Sequence, residues 1–228
     1  MKRYFFVFIY VFYFASGSHA QLADSTKDLP VIISATISKD SSKPLIIYLC
    51  GDGGWNKFSM QFSKVLSSKG YPLICLNSLK YFWKKKTSEK AGADVSRLIK
   101  MYLQKWQKKD AILIGYSFGA DAIPFVYTHL SGDTKELIRK IVLISPSAKT
   151  DLEIHISGMF GGKSSGKSVP EEINKITGIP VLITLSNDDN GFPKNKLTRP
   201  NIVFIKLKGD HHYDGNVTGL CDSIASKL

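Results

Sequence analysis

The amino-acid sequence predicts an α/β fold built on a mainly parallel sheet with helices on both faces. Three observations carry that expectation. Apolar runs of strand length recur along the chain, and several are continuous rather than alternating, as strands covered on both faces are. Segments of helical spacing separate them. One run feeds directly into a G-x-S-x-G turn with a helical segment behind it.

The runs are Val31 to Ile37, Pro44 to Cys50, Pro72 to Leu76, Ala111 to Ile114, Lys140 to Ser145, Pro180 to Ser186 and Asn201 to Leu207. Between the second and third, Phe58, Phe62, Val65 and Leu66 recur at helical spacing, and Gly70 is placed to end that helix. Ala91, Val95, Leu98, Ile99, Tyr102 and Trp106 repeat the pattern on a helix that starts near Thr87 or Ser88. Val217 to Leu228 is expected to form the last helix. Gly158 to Ser168 is dominated by Gly, Ser and Lys and is expected to be a mobile insertion near the site. Gly161, Gly166, Lys167 and Ser168 have the literal spacing of a phosphate-binding loop. No apolar strand leads into them and Pro170 follows, so nucleotide binding is not expected.

Residues 1–20 have the three zones of a secretory signal: Lys2 and Arg3, an apolar stretch from Phe5 to Phe14, and Ser18 and Ala20 at the cleavage positions. An uncleaved anchor is the alternative, but the apolar stretch falls short of the ~20 residues a spanning helix needs. The mature chain is expected to run from Gln21 as one domain, residues 21–228. Removing Lys2 and Arg3 from a formal charge of +12 leaves +10, an excess that favours anionic surfaces. Cys50, Cys75 and Cys221 are an odd count, which excludes a fully paired disulfide framework. Cys50 and Cys75 lie in apolar runs and are expected to be buried, with a bridge between them as the alternative.

The chemistry centres on Gly115-Tyr116-Ser117-Phe118-Gly119. A serine on a sharp strand-to-helix turn has its hydroxyl lifted out of the sheet, and side chains in place of the flanking glycines would clash with that backbone. Ser117 is therefore the candidate nucleophile of an α/β-hydrolase fold. A serine hydroxyl needs a histidine to take its proton and a carboxylate to orient the histidine, and in this fold they follow in the order acid, then histidine. Asn187-Asp188-Asp189 follows one late strand, and Asp210-His211-His212 follows the next. Asp189 is chosen over Asp188, and His211 over His212. His129 and His155 are expected to be structural. Gly51-Asp52-Gly53-Gly54-Trp55 follows the strand of Leu45 to Leu49, where this fold places half of its oxyanion hole. The N–H of Asp52 or Gly53 supplies that half and the N–H of Phe118 the other. Trp55, Tyr116 and His212 are expected to contact substrate. No ligand set surrounds the histidines, so neither a metal nor another cofactor is expected.

The phrases GDGGW, SLKYFWKKKTSEKAGADVSRLIKMY, LIGYSFGADAIPF and GDHHYDG together resemble the bacterial virulence VirJ family and the matching domain of AcvB. The resemblance runs from about Asp28 to the C-terminus. Cys50, Ser186 and Asn216 depart from the family's usual serine, glycine and acid. The resemblance implies a periplasmic enzyme that hydrolyses aminoacylated phosphatidylglycerol, notably lysyl-phosphatidylglycerol, at the aminoacyl ester, with Ser117 attacking the carbonyl. It also implies carboxylates for the lysyl group, and Asp52, Asp121 and Asp214 are the candidates by motif position. Lys84, Lys85 and Lys86 beside Tyr81, Phe82 and Trp83 would seat against an anionic membrane; nucleic acid is not an expected partner. The competing classes are a general carboxylesterase or thioesterase and a non-catalytic periplasmic binding or secretion-assembly factor. An intact Ser, Asp and His set stands against the last.

Overall fold

The computed structural model describes residues 26–33, 42–154 and 166–228. The signal segment, residues 34–37 of the first run, His155 and most of the Gly158 to Ser168 stretch lie outside the described residues. The continuous apolar runs form a seven-stranded sheet from β1 (Val31–Ile33), β2 (Leu45–Leu49), β3 (Leu73–Leu76), β4 (Ala111–Tyr116), β5 (Ile138–Ile144), β8 (Val181–Leu185) and β9 (Ile202–Lys206). Their order is β1-β3-β2-β4-β5-β8-β9. Every pair is parallel except the edge strand β1, which runs antiparallel to β3 with Val31 opposite Leu76. A two-stranded ribbon, β6 (Lys149–Thr150) with β7 (Lys167–Ser168), stands apart from it.

The connections are helical: α1 (Lys57–Ser68), α2 (Ser78–Tyr81), α3 (Ser88–Lys105), α4 (Phe118–Thr128), α5 (Gly132–Lys135), α6 (Val169–Ile173) and α7 (Val217–Ala225). Polar side chains start five of them. Asn56, Asn77, Thr87, Ser168 and Asn216 each accept the backbone N–H three residues on, satisfying a donor the helix cannot. Asn216, a departure from the family's usual acid, thus serves as the cap of α7. Gly70 ends α1 in the left-handed conformation.

Because successive strand residues point to opposite faces, one strand feeds two cores. Leu45, Ile47 and Leu49 of β2 pack with α3, α4 and α6, while Ile46 and Tyr48 pack with α1 and α7. Each such aliphatic side chain contributes about 1.5–3 kcal/mol by leaving water. Double coverage holds for the central strands and stops at the edges: β9 exposes Val203 and Phe204, because no strand lies beyond it and its faces are only partly covered. The end of the Gly158 to Ser168 stretch is also ordered rather than mobile, with Lys167 and Ser168 paired in β7 and Ser168 capping α6. Cys50, Cys75 and Cys221 are buried and free, so no bridge joins the first two.

The tightest crossing in the fold is where α4 passes over β2 and β4. A Cβ on Gly119 would overlap the Leu49 carbonyl, and one on Gly115 would overlap the Gly119 carbonyl. The backbone could yield only by moving the helix off the sheet. Gly119→Ala is therefore expected to lower unfolding free energy by more than about 2 kcal/mol in urea titrations. Gly132→Ala, with open space around its Cβ position, should stay within about 0.5 kcal/mol of wild type. Equal stability of the two variants would contradict the crossing.

Candidate active site

Four loops at the carboxyl ends of β2, β4, β8 and β9 converge on Ser117. The serine sits between β4 and α4 with φ 51° and ψ −120°, a left-handed backbone that a non-glycine residue adopts only at a cost. Its N–H is tied to the Ile144 carbonyl at 2.8 Å, so the turn cannot relax. From there a chain of hydrogen bonds runs outward. His211 Nε2 lies 3.0 Å from Ser117 Oγ, and His211 Nδ1 lies 2.8 Å from Asp189 Oδ1. With Nδ1–H donating to the carboxylate, Nε2 is left to accept the serine proton.

Asp189 is nearly buried, and its second oxygen is fully engaged. Oδ2 accepts from Ser145 Oγ at 2.6 Å and from the Ser186 N–H at 2.7 Å. Burial alone would raise its pKa. The hydrogen bonds from His211, Ser145 and Ser186 outweigh that and hold the carboxyl at about 2. Asp188 is exposed and makes no hydrogen bond to this network. His211 is held above its ordinary 6.5, first by the bond to Asp189, against desolvation and with help from the charges of Asp189, Asp121 and Asp52.

The glycine-rich loop lies against the serine. A Cβ at Gly51 would stand 3.5 Å from that of Ser117. The loop is pinned by Gly54 N–H to the Gly51 carbonyl at 3.0 Å and by Ser59 Oγ to the Gly54 carbonyl at 3.1 Å. Of the two candidate donors, Gly53 is spent: its N–H goes to the Asp52 side chain at 2.8 Å. The N–H groups of Asp52 and Phe118 have no acceptor among the described residues. Two unspent donors beside a serine that is bonded to a histidine form a site able to hold a negative oxygen during acyl transfer.

Several residues expected to meet substrate are occupied otherwise. Tyr116 is only 4% exposed; its ring stacks on Phe58 at 4.2 Å, and its hydroxyl donates to the His211 carbonyl at 3.2 Å. The same hydroxyl lies 3.2 Å from His212 Nδ1, which places His212 on the outer side of the turn. Asp121 is 4% exposed and accepts the Ser147 N–H at 2.5 Å, with burial pushing its pKa up to about 8. Asp214 accepts the Asp210 N–H at 3.1 Å while Asp210 accepts those of His212 and Asp214, so the two acids close the histidine turn on itself. Trp55 is half-buried against the α1 and α7 core. Asp52 remains half-exposed at the rim. A cavity of about 500 Å³ adjoins Asp189, Phe192, Lys194 and Lys206, but Ser117 and His211 do not line it. Among the described residues no group of His, Cys, Asp and Glu could hold a metal ion. Sequence reasoning missed Ser145 and Tyr213. The available signal was that Ser145 closes an apolar strand at the sheet's carboxyl edge, where parallel sheets collect their polar groups.

The chain is similar in fold to Est1E from Butyrivibrio proteoclasticus, with TM-score 0.61 and 13% identity over 86% of this chain and 91% of that one. It is likewise similar to a lipase-esterase related protein from Clostridium acetobutylicum, with TM-score 0.60 and 16% identity over 88% and 99%. An alpha-beta serine hydrolase homologue from Coxiella burnetii gives TM-score 0.57 and 18% identity over 87% and 90%. No curated protein matches the chain in sequence. Sheet order, turn and loop positions define an α/β-hydrolase fold. Residues 43–228 match the family described as bacterial virulence protein (VirJ), and the chain belongs to that family.

The His211–Asp189 pair has a signed pH dependence. The raised histidine stabilises the fold below pH 6.5 and loses that contribution as pH rises through its folded pKa. The depressed Asp189 stabilises above 3.8 and loses its contribution as pH falls toward about 2. The pair is therefore worth most between 3.8 and 6.5. By NMR, the His211 imidazole should titrate above 6.5 in wild type, fall to 6.5 or lower in Asp189→Asn, and stay put in Asp188→Asn. A shift confined to the Asp188 variant would reverse the assignment of the acid.

Proposed function

We propose that the protein is an exported serine hydrolase that cleaves the aminoacyl ester of aminoacylated phosphatidylglycerol, lysyl-phosphatidylglycerol above all. The observation that carries this reading is the unbroken relay from Asp189 through His211 to Ser117, facing two unspent N–H donors. Ser117 Oγ attacks the ester carbonyl as His211 Nε2 takes its proton, and the Asp52 and Phe118 N–H groups receive the oxyanion. The bond to the glycerol oxygen breaks, His211 returns the proton to that oxygen, and phosphatidylglycerol leaves. Water, deprotonated by His211, then releases lysine and restores Ser117.

The lipid substrate is what the resemblance to the VirJ family implies, and the chain's membership of that family is consistent with it. So is the surface beside the site. Trp83 is 51% exposed and Lys84 and Lys85 are exposed with it, whereas Tyr81 and Phe82 are core residues. Phe82 packs on Phe118 at 5.1 Å, which brings this basic, aromatic loop next to the nucleophile and suits it to an anionic membrane surface. No described helix is long and apolar enough to cross a membrane, so contact here would be peripheral. Export rests on the signal-like first twenty residues.

Asp121 is buried and Asp214 closes the histidine turn, whereas Asp52 is half-exposed at the rim and, with Oδ1 on the Gly53 N–H, keeps its second oxygen for a lysyl ammonium. Mature protein is expected to release free lysine from vesicles containing lysyl-phosphatidylglycerol, and Ser117→Ala to lose at least about a thousandfold in kcat. If neither protein releases lysine while a fluorophosphonate still labels Ser117, the lipid substrate is wrong and a broader esterase remains. Asp52→Asn should raise KM for the lysyl lipid about tenfold while leaving fluorophosphonate labelling intact, since its backbone donor is unchanged. Equal KM values would remove Asp52 as the ammonium partner.

A further inference from the structure

We propose that Ser145, itself oriented by Tyr213, is a positioning residue that fixes the Asp189 carboxylate against His211. The inference rests on the serine-hydrolase reading and on a buried chain of three hydroxyl and carboxyl groups. Ser145 Oγ lies 2.6 Å from Asp189 Oδ2 and 2.8 Å from the Tyr213 hydroxyl, and both Ser145 and Tyr213 are almost wholly buried.

Proton counting fixes the direction of this chain. An ionised carboxylate only accepts, so the single Ser145 proton goes to Asp189. Tyr213 must then donate to Ser145, since its other acceptor, the Thr184 carbonyl, is 3.5 Å away. Each donor polarises the next, and the chain ends on the carboxylate oxygen that His211 does not use. It therefore draws charge toward Oδ2 and stops the carboxylate from turning.

Backbone geometry supports the assignment. Ser145 has φ 50° and Tyr213 φ 57°, in the region where side chains are strained and glycine is not. The Ser145 N–H is fixed to the Thr184 carbonyl at 2.8 Å, so β8 holds the serine in that conformation. Ser145 stands where glycine would be less strained, and its hydroxyl makes two contacts that glycine could not. Tyr213 lies two residues beyond His211, so the same hydroxyl pair ties the acid loop to the histidine turn.

Ser145→Gly separates positioning from folding, because it relieves strain while removing the hydroxyl. The readout is the second-order rate of fluorophosphonate labelling at Ser117 as a function of pH, alongside thermal unfolding. The expected result is a protein that still unfolds in one cooperative transition, with labelling at pH 7 slower by about tenfold or more and an acid limb moved to higher pH. The limb moves upward because the Ser186 N–H still holds the carboxylate on His211 while charge returned to Oδ1 holds the imidazolium more tightly. Tyr213→Phe, which keeps the packed ring, should shift the limb in the same direction by less. A Ser145→Gly protein that labels at the wild-type rate with the wild-type limb overturns the inference and leaves the nucleophile intact. Absence of labelling in wild type would instead remove the hydrolase reading on which it rests.

Discussion

The close approach of Gly119 of α4 to the Leu49 carbonyl of β2, where a Cβ has no room, is the constraint on which the site depends. With α4 held so near the sheet, β4 must turn sharply, and Ser117 takes up the turn in a left-handed conformation. The same approach brings the loop after β2 alongside the serine, because Leu49 is the last residue of that strand. The serine turn and the glycine-rich loop beside it thus both follow from one crossing, which two glycines permit.

Much of this was legible locally. The G-x-S-x-G turn names its serine because its meaning lies in the five residues and the strand and helix beside them. The double-faced strands were legible because continuous apolar runs separated by helical segments have few other solutions. What failed was non-local. An apolar run does not say whether a strand lies beside one neighbour or two, so nothing in the letters marks β9 as the edge strand whose Val203 and Phe204 are exposed. Tyr116, Asp121 and Asp214 sat inside motif phrases and looked like substrate contacts. The Phe58 ring, the Ser147 N–H and the Asp210 N–H that occupy them belong to other segments or to a turn whose shape the letters do not show.

The doubled residues make the same point more sharply. Asp188 and Asp189 are alike in charge and differ by one position in a turn. Ser186 donates from three residues before Asp189 and Ser145 from forty-four residues upstream, so the partners that distinguish the two acids are partly beyond any local pattern. His211 and His212 are separated by the reciprocal bonds of Asp210 and Asp214, which curl the turn until one ring faces Ser117 and the other faces outward beside Tyr116.

Strain shows how these separate devices act together. Ser117, Ser145, Tyr213 and Asp214 all have left-handed backbones, and each lies at or just beyond the carboxyl end of a strand or in the histidine turn. Such conformations cost on the order of 1–3 kcal/mol apiece and persist only where the surroundings over-determine them. Two cores, one on each face of the sheet, supply that determination: Tyr116, Tyr213 and Val217 anchor one side, and Ala120, Leu143 and Leu185 the other. The turns that carry the site are pinned between these cores, and the hydrogen bonds from Asp189 through His211 to Ser117 are already formed. Preorganisation of this kind lets fixed dipoles stabilise a developing charge without reorienting during the reaction. In the proposed reaction, buried polar groups that touch no substrate would then matter to the chemistry alongside the serine.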